Sequence, residues 1–301
     1  MISSKSSSTF RFVDRISKAE PWEDRLLRMI LWPAGVLAGT VSLAIVLVIT
    51  IEAGPGLGEI GVVRLLADPS WHPANGRFNL LPIIVDTVLV AALATSLAAA
   101  AGILSAIFCT SFAPRMLATC FTRMIELLAG IPSVVFGLWG MTVLVPAVAA
   151  LAPPGPSLLA ATLVLTLMIL PTVTLVATSS LSRVPASLLI GGKALGLSAW
   201  SIATKIALPA ARRGIATGVV LALGRALGET MAVLMVSGNI VQIPGSLFDP
   251  IRTLPATIAL EIPYAEGLHR ASLFVCALVL MAIVLTTVCF IELFQPESAR
   301  D

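Results

Sequence analysis

The residues best placed to do chemistry are an arginine and a glutamate in an otherwise apolar stretch, Gly224-Arg225-Ala226-Leu227-Gly228-Glu229-Thr230. At i and i+4 on a helix, Arg225 and Glu229 share one face and can pair. Arg225 stands twelve residues beyond Arg213. At ~1.5 Å per residue that is roughly 18 Å, near the middle of a ~30 Å hydrocarbon core. An ionised guanidinium at that depth is costly unless paired or wetted, so it faces a cavity or a partner. Its planar fork of donors suits the oxygens of an anion such as phosphate. Arg225, Glu229 and Thr230 are therefore the candidate anion path, with Glu229 holding the arginine or competing with the anion. The alternative is a buried ion pair that fixes helix packing.

Other chemistry is not indicated. Gly192-Lys193 superficially suggests a nucleotide-binding loop, but Ser187 stands five before Gly192 and Ala194 follows Lys193, which breaks that pattern. No Ser-His-Asp, Cys-His or paired-carboxylate constellation appears, so no catalytic residue is expected. The imidazoles are His72 and His269, both in expected loops. Cys109, Cys120, Cys276 and Cys289 form no C-x-x-C pair and lie in or near apolar segments, where they read as membrane-packed thiols. No metal, no cofactor and no nucleic-acid partner is expected.

The elements that must hold Arg225 are membrane spans. Hydrophobic residues make up 57% of the chain, charged residues 12%, and the mean hydropathy is +1.00. A soluble domain carries about 25% charged residues, so the fold class is all-α: a polytopic membrane protein. A span needs ~20 mostly apolar residues, and the charge map places six, at about 29–51, 87–113, 127–151, 158–181, 214–236 and 271–291. The uncharged run Leu127 to Ser182 is too long for one helix, and Ala152-Pro153-Pro154-Gly155-Pro156 supplies the turn between two. Pro132 and Pro171 are expected to interrupt the third and fourth spans. Asp86, at the head of the second, is expected to be solvated at the interface. Gly214, Gly218, Gly224 and Gly228 form two small-xxx-small pairs, which read as helix-packing positions. Residues 1–28 are a Ser-rich polar tail with an amphipathic lead-in at Trp22 to Arg28, not a signal peptide. Residues 295–301 form a short second tail.

Lys and Arg accumulate on the cytoplasmic side. Lys5, Arg11, Arg15, Lys18, Arg25 and Arg28 precede the first span. Arg183, Lys193, Lys205, Arg212 and Arg213 lie in the acid-free connection 182–213. The alternation predicts both termini in the cytoplasm, the 182–213 loop cytoplasmic and the loop around Trp71 outside. The stretch 254–263 reads as a short amphipathic helix at the outer surface.

Within the cytoplasmic loop, Ala194-Leu195-Gly196 is followed by an amphipathic stretch and then Ile206-Ala207-Leu208-Pro209. A short helix, a Gly break, a second short helix and a Pro stop would make a compact knob able to dock in a partner's groove; an ordinary helical connector is the alternative. The segment resembles the EAA loop of ABC importer permeases, which docks on the ATPase subunit. Ala194, Leu195, Gly196, Ile206, Leu208 and Pro209 match it, while Ile190-Gly191-Gly192 replaces Glu-Ala-Ala. Gly224 to Val233, Leu128 to Gly140, Met168 to Thr172 and Val236 to Asn239 are similar to signatures of PstC-type permeases of the phosphate-specific transport system. The likeness covers roughly residues 65–294.

That resemblance implies a type I ABC importer permease fold in a bacterial cytoplasmic (inner) membrane. It implies phosphate as substrate, two copies of an ABC ATPase, a second related permease and an extracytoplasmic phosphate-binding protein. The 182–213 loop would be the coupling element. Three other functions fit the residues less well. A secondary transporter driven by an ion gradient should carry internal repeats, which are not evident. A phosphate-sensing or ATPase-anchoring membrane protein should bind partners without flux. A permease for sulfate, molybdate or phosphonate would share the loop but not the Gly224 to Glu229 string.

Overall fold

The computed structural model describes residues 22–293. Residues 1–21 of the expected N-terminal tail, and the 295–301 tail, lie outside the described residues. The lead-in at Trp22 is not separate from the first span: α1 runs unbroken from Trp22 to Pro55. The chain divides into two compact units, one ending at Ile51 and the other beginning at Glu52.

In the second unit a π-turn, Gly56–Ile60, leads to α2 (Val62–Ala67) and a small hairpin. Its strands β1 (Trp71–His72) and β2 (Arg77–Phe78) pair antiparallel, Trp71 opposite Phe78. Gly76 turns the chain with φ 65°, a left-handed conformation that glycine adopts without steric cost. Then come α3 (Leu81–Ile107), α4 (Arg115–Ala129), α5 (Ser133–Trp139), α6 (Val145–Leu151) and α7 (Leu158–Ser182). The last group is α8 (Ala186–Ala194), α9 (Ala199–Ile202), α10 (Leu208–Leu227), α11 (Met231–Val236), α12 (Leu254–Glu261) and α13 (Gly267–Leu293).

Among the described residues, six helical segments are long and apolar enough to cross a membrane: 27–60, 81–112, 133–151, 158–182, 199–227 and 267–289. Several bounds differ from expectation: the first segment runs on to Ile60 and the second starts already at Leu81. The third begins at Ser133, because Gly130-Ile131-Pro132 separates it from the amphipathic α4. The fifth continuous helical run is 199–227, and the expected span 214–236 lies alongside α7, from Gly214 at Ser180 to Val236 at Ser157, with the break 228–230 inside it. Pro209 does not stop the preceding short helix. It sits in the first turn of α10, directly after a π-turn over Ala203–Ala207. Proline cannot donate to the carbonyl four residues back, and the wider turn takes up that mismatch. The same device recurs where the π-turn Gly140–Leu144 precedes Pro146. Pro171 also fails to interrupt its span, since it is buried inside the continuous α7.

The main core lies where α3 and α7 pack along most of their length, with α10, α5 and α11 against them. Gly102 of α3 abuts Val173 of α7, and Ala91, Ala94 and Ala98 of α3 lie fully buried in the same cluster as Ala160, Ala161 and Val164 of α7. Small side chains let backbones approach closely, and close packing is what holds helices together in lipid. A second cluster at the Trp71 end gathers Ile60, Leu65, Phe78, Ile83, Leu254 and Leu273. A third, at the Gly196 end, joins Ala106, Ala177, Leu181, Ala203 and Ile215.

Candidate substrate path and coupling loop

The helix carrying Arg225 ends two residues later, at Leu227. Gly228-Glu229-Thr230 is a break, after which α11 begins. Arg225 and Glu229 therefore do not share a continuous helix face, and the expected ion pair is not formed. The Glu229 carboxylate instead accepts a hydrogen bond from the Ala232 backbone N–H at 3.1 Å, covering one of the amides a helix start leaves unpartnered. Thr230 donates its hydroxyl proton to the Gly228 carbonyl at 3.3 Å. Arg225 lies off the buried face of α10, exposed, with no ion pair or hydrogen bond among the described residues.

The glycines of α10 divide into two kinds. At Gly214 an added β-carbon would collide with the Ser180 hydroxyl, and at Gly218 it would come within 2.9 Å of Val176. These positions seat α10 on α7. At Gly224 nothing lies within 4 Å, and at Gly228 only a carbonyl of the same helix does. The space around Arg225 is open.

A second break, Gly130-Ile131-Pro132, stands beside the first. Gly137 of α5 abuts Ala232 and Met235 of α11, and Gly140 abuts Val236. The two half-helices thus run side by side in the same direction, starting at about the same level. Interrupted spans whose half-helix starts meet inside the membrane are a recurrent way of building an ion or substrate site.

At the Gly196 end, α8 closes in a Schellman turn. The Leu197 N–H donates to the Gly192 carbonyl at 3.2 Å and the Gly196 N–H to Lys193 at 3.0 Å. Gly196 has φ 72°, as the residue after a helix C-cap commonly does. Ser198 then caps α9, its hydroxyl accepting from the Ser201 N–H at 3.2 Å. Ile206 and Leu208 turn partly inward, Leu208 against the cluster at this end, while Ala194, Leu195 and Pro209 are exposed. Leu195 is 80% exposed, and Ile190, Leu197 and Trp200 add to the same apolar end. Where Glu-Ala-Ala would stand, Gly192 is tight against Ile206 and Gly191 is free.

A polar cluster at the Trp71 end was not visible in the sequence. Glu261 accepts from Arg252 Nη2 at 2.8 Å, pairs with His269 Nε2 at 2.8 Å and receives the Trp71 indole N–H at 3.0 Å. Asp86 is fully buried rather than solvated, and its Oδ2 accepts the Arg252 backbone N–H at 2.9 Å. Thr87 does the same for the Leu254 N–H at 2.8 Å. The head of α3 thereby clamps the start of α12, whose first turn is buried and not laid on a surface. Among the described residues no His, Cys, Asp and Glu group could hold a metal, and the four cysteines are free thiols.

These features define a membrane-spanning transport subunit of the ABC importer kind. Residues 98–300 match the model of the binding-protein-dependent transport system inner membrane component, and the chain belongs to that family. Among its relatives is the phosphate transport system permease protein PstC of Mesorhizobium japonicum, 38% identical over 72% of this chain and 73% of that one. PstC of Haemophilus influenzae is 31% identical over 90% and 92%. The probable ABC transporter permease protein YqgH of Bacillus subtilis is 36% identical over 91% and 90%.

The fold is that of a type I ABC importer permease. A chain of a bacterial ABC transporter involved in alginate import aligns with a TM-score of 0.63 at 13% identity, covering 91% of this chain and 99% of that one. A chain of the MetNI methionine transporter aligns at 0.58 and 17%, covering 71% and 93%.

Proposed function

We propose that this chain is the transmembrane permease subunit of an ATP-driven importer of inorganic phosphate. The observation that carries the reading is Arg225: an unpaired guanidinium in open space beside a broken span, in a chain whose relatives are named phosphate permeases. Its donors suit a tetrahedral oxyanion, and the Thr230 hydroxyl and the neighbouring half-helix start at Ser133 add polarity at the same level. Gly224 and Gly228 keep room for the anion.

Both termini and the 182–213 loop lie in the cytoplasm, by the distribution of basic residues. The chain works in the bacterial inner membrane with a second, related permease. Two copies of an ABC ATPase supply the energy, and an external binding protein delivers phosphate to the Trp71 end. The exposed apolar end of the Gly196 loop seats in a groove of the ATPase, and the Schellman turn gives that knob a fixed shape. Closure of the ATPase dimer on ATP moves the loop and, through the continuous helix 199–227, the floor of the path at Arg225.

Purification of the intact assembly from native membranes tests this reading. Co-elution of an ATPase and a second permease, with ATP-dependent phosphate accumulation after reconstitution, is the expected result. Phosphate accumulation driven by an ion gradient without any ATPase would overturn it.

A further inference from the structure

Two cavities lie in line along the groove between α4–α5 and α7, and together they have the shape and chemistry of an amphiphile. The first, about 690 Å³, is at the Gly196 end and includes Arg123, Lys193, Thr110, Thr119 and Thr122 in its lining. The second, about 290 Å³, is wholly apolar, formed by Leu128, Ile131, Val135, Phe136, Trp139 and Leu167. On α7 the first reaches Thr178 and the second Leu167, eleven residues or about 16 Å apart along the helix. Half of a ~30 Å hydrocarbon core is about the same length.

The polar cavity selects an anion. The Lys193 ammonium has no partner among the described residues, and Arg123 pairs only with Glu126, which also lines the cavity, at 2.9 Å and in an exposed position. Glu126 is the sole acid from Thr87 to Gly228, against Arg115, Arg123, Arg183, Lys193, Lys205, Arg212 and Arg213 at this end of the chain. The threonines refine the choice. Thr110, Thr119 and Thr122 donate their hydroxyl protons to carbonyls four residues back, which leaves lone pairs for a ligand that carries hydroxyl donors. The amphipathic α4 turns Thr119, Thr122 and Arg123 to the cavity and leaves Met116, Met124 and Leu127 exposed, as a helix between lipid and a headgroup pocket would.

We propose that this groove holds one anionic phospholipid with a hydroxylated headgroup, such as phosphatidylglycerol, its phosphate between Arg123 and Lys193 and an acyl chain in the Leu128–Trp139 groove. Basic pockets between spans on the cytoplasmic side are suited to such headgroups. Assignment to the inner leaflet rests on the orientation given under Proposed function; the binding itself does not depend on phosphate being the substrate. Lys193, Ala199 and Ile202 of the coupling segment line the same cavity, so the lipid would brace that segment against α4 and α7.

The test uses the intact complex in phosphatidylcholine nanodiscs titrated with phosphatidylglycerol, with retained lipid counted by native mass spectrometry. Wild type should retain the anionic lipid. The double variant Arg123→Gln/Lys193→Gln should bind it about thirtyfold more weakly, from two lost surface cations. Val135→Trp, which fills the apolar groove and leaves both cations, should also lose it, while Arg183→Gln should not. Co-purified ATPase reports that each variant is assembled.

Equal retention in wild type and the double variant would overturn the proposal. So would full retention by Val135→Trp, displacement by millimolar inorganic phosphate, or binding to the isolated chain that vanishes once the second permease is present. A complex that retains the lipid yet fails to move phosphate would count against the transport reading and leave this one standing.

Discussion

Glu229 had two physically sound partners, and only one could win. The i,i+4 rule assigns it to Arg225, and the sequence contains nothing that argues otherwise. The structure gives its carboxylate to the Ala232 amide, because a helix that restarts after Gly228 has orphan N–H groups that lipid cannot solvate. Arg225 is thereby left free for an anion or a partner. Glu229→Ala should lower the stability of the purified chain by about 1 kcal/mol, as lost caps do, whereas Glu229→Gln keeps an acceptor oxygen and should lose much less. Thermal unfolding in detergent compares the two. If Gln is as damaging as Ala, the negative charge rather than the cap is what matters.

At the scale of elements, spans were legible from charge and length, but their interiors were not. A helix apolar on every side has no periodic stripe to mark where it bends, so the π-turn before Pro146 left no signal. Pro171 leaves its span unbroken for a related reason: a proline in a span breaks it only when neighbours do not satisfy the freed carbonyl. Gly130-Ile131-Pro132 was readable as a break, while Gly228 looked like a packing glycine.

The Gly196 turn can be tested directly. Gly196→Ala forces a side chain into φ 72°, at a cost of roughly 1–2 kcal/mol, and should cut the amount of ATPase that co-purifies while the chain still inserts. Undiminished ATPase recovery would mean that the turn's shape does not matter for docking. Gly218→Leu should be worse for the chain itself, since the added side chain meets Val176 where α10 seats on α7. Its yield in the membrane should fall sharply, whereas Gly224→Ala, in open space, should leave yield unchanged.

Across the whole molecule, the Trp71 end is held by contacts that no local pattern encodes. Trp71 and Glu261 are 190 residues apart in the chain, and Asp86 and Arg252 166 apart. Glu261 ties the hairpin, α12, Arg252 and the head of α13 into one body, with both Arg252 and Glu261 largely buried. Removing one member of such a pair leaves the other uncompensated, so Glu261→Ala should destabilise the chain by about 3 kcal/mol. Tryptophan fluorescence during unfolding would follow the loss at Trp71; an unchanged midpoint would show that the cluster is dispensable.

Transport of phosphate by this subunit rests on contact between the Arg225 guanidinium and the transported anion. That contact is tested by ATP-driven uptake of radiolabelled phosphate into proteoliposomes containing the full complex, wild type against Arg225→Gln. Uptake by the variant should fall about tenfold or more, as expected for loss of a charge-assisted contact, with assembly and co-purified ATPase unchanged. Uptake by Arg225→Gln at the wild-type rate would contradict it.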